Sequence, residues 1–293
     1  MKRSNVLRGL RYWLLASTGA LAALTSVAAA QIQVLTGLTL VQSAQPGDRI
    51  SFVSRILNTT NETQRIEFAI ADYAIRASED VFLEGGTTDR SLAPWATVGA
   101  PADLPPGETH DVVVTIEVPP DLPRSGSYWA LLFITPDVSY PLPVRTQSGD
   151  EEDNEASAMR FTYRNRTAVQ LILEIPGSER PVMTIERPRL SRDDMGDLSF
   201  DVELENTGGR WTNQASMTLD VYDGTTGERV ASLTERTGRI YPNSSRRVRF
   251  QLGALPERPY QLVAIAEAND AQPTAVRYTI DLGSTSSDEM QRP

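Results

Sequence analysis

Leu198-Ser199-Phe200-Asp201-Val202-Glu203-Leu204-Glu205 alternates apolar and polar residues without a fault. Successive side chains of a strand point to opposite faces, so Leu198, Phe200, Val202 and Leu204 make one dry face. Ser199, Asp201, Glu203 and Glu205 make the wet one. A helical period would mix the two sets around one cylinder. One dry and one wet face is the pattern of an antiparallel strand covered on a single side.

The same period recurs outward from this segment. Ile50, Phe52 and Ile56 oppose Ser51 and Arg55, and Ile66, Phe68 and Ile70 alternate with Arg65, Glu67 and Ala69. Val112, Val114, Ile116 and Val118 oppose Asp111, Thr115 and Glu117. Val248, Phe250 and Leu252 continue the habit, as do Val276, Tyr278, Ile280 and Leu282. Turn formers separate these runs: Pro46-Gly47-Asp48, Asn58-Thr59-Thr60-Asn61, Pro105-Pro106-Gly107, Gly208-Gly209 and Asp223-Gly224. Short strands punctuated in this way predict an all-β chain of two tandem immunoglobulin-like antiparallel β-sandwiches.

The halves share an internal order. Each has a strand ending in Asn-Thr (Asn58-Thr59, Asn206-Thr207), a Pro-containing turn, a strand, a second Pro, and a strand opening at Tyr128 or Tyr260. This order places sandwich one at residues 31–177 and sandwich two at residues 178–283, with a polar tail at 284–293. Residues 146–157 carry Asp150, Glu151, Glu152, Asp153 and Glu155 with no large apolar residue. Such a run repels itself and is expected to be a loop.

The first thirty residues read as a cleaved signal peptide. Lys2, Arg3, Arg8 and Arg11 precede an apolar stretch that ends in Ala28-Ala29-Ala30. The expected mature protein is exported, to the periplasm or cell surface, without stable membrane insertion after cleavage. The chain has 293 residues, Lys+Arg 28, Asp+Glu 38, one His and no Cys, for a formal net charge of −10. Four of the bases fall in the leader, so the remainder is more acidic still. That balance argues against nucleic acid as a partner. Without Cys there is no thiolate nucleophile, disulfide or Cys-built metal site, and one His builds no multi-His site.

Pro46-Gly47, Asn58-Thr59, Trp95, Leu104-Pro105-Pro106-Gly107, Val118-Pro119 and Gly126-Ser127-Tyr128-Trp129-Ala130 together resemble the WxL-interacting protein family. The tandem plan is similar, more distantly, to periplasmic pilus chaperones. The first resemblance implies an N-terminal sandwich associated with peptidoglycan. The second implies a chaperone with a basic pair, on the first and last strands of domain one, for a subunit's terminal carboxylate. Here residues 32–41 carry no Arg or Lys, whereas the later strand has Arg160, Arg164 and Arg166.

Neither catalysis nor a cofactor is expected. His110 lies beside Asp111 with no Gly-x-Ser-x-Gly elbow in the chain, and reads as a strand-edge surface residue. Asp150–Glu155 and Asp193-Asp194-Met195-Gly196-Asp197 lack the spaced ligands of a calcium loop and read as a solvated loop and a hairpin turn. Trp129 lies in an apolar strand and reads as core, and Trp95 and Trp211 as loop residues folded onto sandwich ends. Arg247 and Arg249 share a face and are expected to pair with Glu203 and Glu205. A sandwich without chemistry acts through edges, loops or patches. Met159-Arg160-Phe161-Thr162-Tyr163-Arg164 alternates, follows the acidic loop, and is the candidate partner-binding strand, with Arg160, Phe161, Tyr163 and Arg164 as its site residues. The expected function is a non-enzymatic envelope protein binding cell wall or a surface protein. The alternative is an assembly chaperone capping an exported subunit by strand addition.

Overall fold

Among the described residues, Ile32 is the first in a strand pair, opposite Asn58. The computed structural model describes residues 32–77, 79–137, 140–143, 160–163 and 165–283. The signal segment, the acidic loop, Arg164 and the tail lie outside these residues.

The first half contains β1 (Ile32–Val34), β2 (Thr39–Ser43), β3 (Arg49–Asn58), β4 (Gln64–Arg76), β5 (Glu79–Leu83), β6 (Ala96–Val98), β7 (Ala102–Leu104), β8 (Thr109–Glu117), β9 (Gly126–Pro136), β10 (Tyr140–Pro143), β11 (Arg160–Tyr163) and β12 (Thr167–Ile175). Two sheets face each other, ordered β1-β3-β8-β6 and β2-β12-β9-β4-β5, with β7 paired to β4. Between them lie Phe52, Ile56, Ile66, Val114, Ile116, Leu132, Val169 and Leu171, all essentially inaccessible to solvent. The second half contains β13 (Met183–Arg192), β14 (Leu198–Asn206), β15 (Thr212–Asp223), β16 (Arg229–Ile240), β17 (Ser244–Gly253), β18 (Pro259–Ala268) and β19 (Thr274–Asp281). Its sheets run β13-β14-β17 and β16-β15-β18-β19 around Phe200, Phe250, Tyr260 and Tyr278. Each half is an immunoglobulin-like sandwich. Each fully buried Val, Leu, Ile or Phe contributes about 1.5–3 kcal/mol, so burial is the main stabilising contribution in a chain without cysteine cross-links.

One ladder among the described strands is parallel, β2 beside β12. The chain crosses from one sheet to the other between Leu35, whose N–H donates to Arg55 O (2.8 Å), and Leu38, whose carbonyl accepts Gln170 N–H (2.8 Å). It changes sheets without turning back, and so runs alongside β12 in the same direction.

The internal repeat has an atomic basis. Asn58 is buried, donates from Nδ2 to the carbonyls of Glu62 (2.7 Å) and Leu104 (2.8 Å), and accepts Thr60 N–H (3.0 Å). Asn206 is buried in the same way. Its Nδ2 donates to Arg210 O (2.7 Å) and Ile240 O (3.4 Å), and its Oδ1 accepts Gly208 N–H (3.0 Å). The Pro turns match too. Gly107 (φ 71°) and Asn243 (φ 56°) occupy the left-handed position after Pro106 and Pro242, and each donates its N–H to the backbone carbonyl of that Asn. Tyr128 and Tyr260 each donate a hydroxyl to the carbonyl four residues back, of Arg124 (2.9 Å) and Pro256 (3.1 Å), as tyrosine corners do.

Candidate functional site

β9 and β12 pair antiparallel from Gly126↔Ile175 to Ile134↔Thr167. Past the end of that ladder the two arms continue as a ribbon, β10 against β11, with Tyr140↔Tyr163, Pro141↔Thr162, Leu142↔Phe161 and Pro143↔Arg160 opposite one another. Proline has no amide proton, so the ladder must run through Tyr140 and Leu142. That turns the nitrogens of Pro141 and Pro143 away from β11. β10 therefore presents a blunted outer edge. On β11 the groups that meet β10 are those of Phe161 and Tyr163, and the N–H and C=O of Arg160 and Thr162 face outward. No described strand pairs with that side. Of the four proposed site residues, Arg160, Phe161 and Tyr163 thus lie on one open-edged strand, and Arg164 is outside the described residues.

The sheet that β9 and β12 belong to also carries a junction that sequence reasoning missed. Tyr73, Ile75, Trp129, Leu131, Phe133 and Ile172 form an apolar cluster on the outer face of the β2-β12-β9-β4-β5 sheet, and Tyr241 of the second sandwich plugs into it. Tyr241 stacks on Trp129 (centroids 4.8 Å) and meets Tyr73 edge-on (6.0 Å). Burial pushes the Tyr241 hydroxyl well above the usual tyrosine range. Tyr73 is pushed up to about 12, by burial first and then by its hydrogen bond to Asp80 (3.0 Å). Polar bonds frame the cluster. Ser127 N–H donates to Gly209 O (3.0 Å), Trp211 N–H to Ser127 Oγ (3.1 Å), and Ala77 N–H to Ser245 Oγ (2.9 Å). Arg246 pairs with Asp80 across the junction (3.4 Å). Tyr241 sits where the first sandwich has Pro105, an aromatic in a turn slot, and that mismatch in the repeat was the available signal.

The other expected positions resolve as follows. Trp129 is buried, but in the junction cluster rather than the sandwich core, and its Nε1 donates to Tyr73 O (2.7 Å). Trp95 is half-buried against Tyr128 (centroids 4.7 Å), and Trp211 is half-buried with its Nε1 on Glu174 (2.8 Å). His110 is half-buried and stacked on Phe68 (6.1 Å), and so is less exposed than a surface residue. The adjacent Asp111 is held below the usual carboxylate range by its hydrogen bonds from Arg55 (2.7 and 2.8 Å). The strand register moves the predicted charge ladder by one step. Arg249 pairs with Asp201 (2.7 Å) and Arg247 with Glu203 (3.5 Å), because Glu205 stands opposite Ser245. The Asp193 carboxylate accepts the N–H groups of Met195 and Asp197 and closes a hairpin turn. No cluster of three or more metal-ligating side chains occurs among the described residues. No helix there is long and apolar enough to cross a membrane.

No family model matches the chain, and neither does any curated protein. Solved structures do resemble it, at low identity. A class 5 fimbriae chaperone, CfaA, shares 11% identity over 89% of this chain and 98% of its own, with a TM-score of 0.42. The CsuC–CsuE chaperone–tip adhesion subunit complex from Csu pili of Acinetobacter baumannii gives 13% identity, 75% and 90% coverage and 0.40. The Salmonella enterica SafA pilin complex with the SafB chaperone gives 10%, 83% and 94%, and 0.36. Likeness at that level reaches the fold and stops there. The resemblance to WxL-interacting proteins gains nothing from these comparisons.

Proposed function

We propose that the chain is an exported, non-enzymatic assembly protein of the chaperone type, which takes up an extended segment of an envelope protein as an added strand on β11. The outward backbone groups of Arg160 and Thr162, beside a neighbour whose own edge two prolines close, carry this reading. The distant structural likenesses carry none of it. Nothing comparable favours wall binding: Trp95 packs on Tyr128, Trp129 on Tyr241, and Trp211 is bonded to Glu174, so each is engaged with the protein itself. The leader sequence supports export.

The register dictates the test. Phe161→Pro would break the ladder to β10, whereas Thr162→Pro removes an outward donor and leaves the ribbon paired. Residues 31–293 are titrated with a short synthetic peptide that alternates valine and threonine between aspartates, chosen to suit the basic residues of 160–166. Wild type and Thr162→Val should bind, and Thr162→Pro should not, at an unchanged melting temperature. Binding retained by Thr162→Pro would remove β11 as the receiving edge.

A further inference from the structure

β12 follows directly from β11, and two of its outward positions are polar where the sheet face around them is apolar. Val169, Leu171, Leu173 and Ile175 point into the first core. On the opposite face Gln170, Ile172 and Glu174 stand in a row, and all three are gripped. Gln170 Oε1 accepts the hydroxyls of Thr39 (3.2 Å) and Tyr241 (3.0 Å) and the guanidinium of Arg239. Ile172 is fully buried in the junction cluster. The Glu174 carboxylate accepts Arg210 (2.5 Å) and Trp211 Nε1 (2.8 Å). Arg210, Trp211, Arg239 and Tyr241 all belong to the second sandwich. Their charge-assisted bonds sit at a partly buried seam, where such bonds are stronger than at an open surface.

We propose that Gln170 and Glu174 are positioning residues: through them the second sandwich holds β12, and with it the edge of β11, in place for an incoming strand. This rests on the reading of β11 as the receiving edge. A two-stranded ribbon is barely stable alone. The arms it grows from therefore decide how well it is ordered; both meet the second sandwich, β9 through Ser127 and Trp129, and β12, the arm that leads into β11, through Gln170, Ile172 and Glu174. The second sandwich thus contributes to binding without touching the partner.

The chain has no cysteine, so spin labels can be placed at Thr97→Cys and Ser232→Cys, both exposed and one in each sandwich. Glu174→Gln and Gln170→Ala are compared with Arg55→Ala, which breaks an ion pair on the far sheet of sandwich one. Both junction variants should broaden the inter-label distance. They should also speed exchange of the Phe161 and Tyr163 amides about tenfold, the equivalent of about 1.4 kcal/mol of local stability. The valine–threonine peptide should bind them more weakly, and the Arg55→Ala control should match wild type throughout. Unchanged distances would show that these residues do not hold the junction. Broadened distances with wild-type exchange at β11 would show that the junction does not reach the edge. Either result overturns the inference. If wild type fails to bind the peptide while exchange still rises in both variants, the strand-addition reading falls and the positioning role stands.

Discussion

Asn58 and Asn206 each close a chain reversal by bonding backbone on both sides of it, from a site without solvent. Asn206→Ala leaves the amides of Val182 and Gly208 and two carbonyls without that partner. The loss should be about 2–3 kcal/mol in denaturant unfolding, and a loss under about 0.5 kcal/mol, typical of a surface change, would refute the role. The paired Asn-Thr was visible in the sequence, but its buried bonding was not, since Asn is ordinarily a surface turn former. Tyr73 gives a residue-scale pH prediction. Its ordinary value is 10.0 and the folded value is about 12. A proton held more tightly in the folded state stabilises below pH 10, and that contribution is lost as pH rises from about 10 to about 12. Alkaline titration should therefore loosen the junction in that window. Tyr73→Phe should remove this component of the transition, and an identical alkaline transition in the variant would place its cause elsewhere.

At the scale of elements, the alternating strands were legible and the doubly covered ones were misread. β14 alternates because one face is polar and charge-paired. Trp129-Ala130-Leu131-Leu132-Phe133 does not alternate, and this is itself informative. β9 is covered on both faces, by the sandwich core on one side and the junction on the other. Read as core alone, that run hid the second sandwich's contact with it. The candidate strand at Arg160–Tyr163 was legible as a strand, while the asymmetry of its ribbon needed the register against Pro141 and Pro143. Those prolines yield a prediction. Pro141→Val with Pro143→Val returns two outward amides to β10 and should promote edge-to-edge self-association, seen as dimer or larger species in sedimentation velocity. A profile identical to wild type would show that the prolines guard nothing.

Across the junction, Gly126 sets how closely the sandwiches approach. A Cβ on Gly126, whose φ is 97°, would lie 2.1 Å from the backbone carbonyl oxygen of Gly209, whereas a Cβ on Gly209 would meet the movable ends of Glu179 and Arg90. Gly126→Ala should separate the sandwiches while each stays folded. Strand content would be kept in far-UV circular dichroism, and small-angle scattering would show a larger radius of gyration. An unchanged radius would show that the junction absorbs the methyl group. Two sandwiches were legible from length and repeat. Their docking was not, because its residues are scattered over β4, β9, β12 and the turn at Tyr241, and no local period marks them.

An added strand on β11 would engage alternate amides only. Amide exchange of residues 31–293 should be measured with and without the valine–threonine peptide. The outward amides of Arg160 and Thr162 should become protected, while Phe161 and Tyr163, already bonded to β10, should change little. Protection that is uniform along β11, or absent at Arg160 and Thr162 while the peptide is bound, would contradict it.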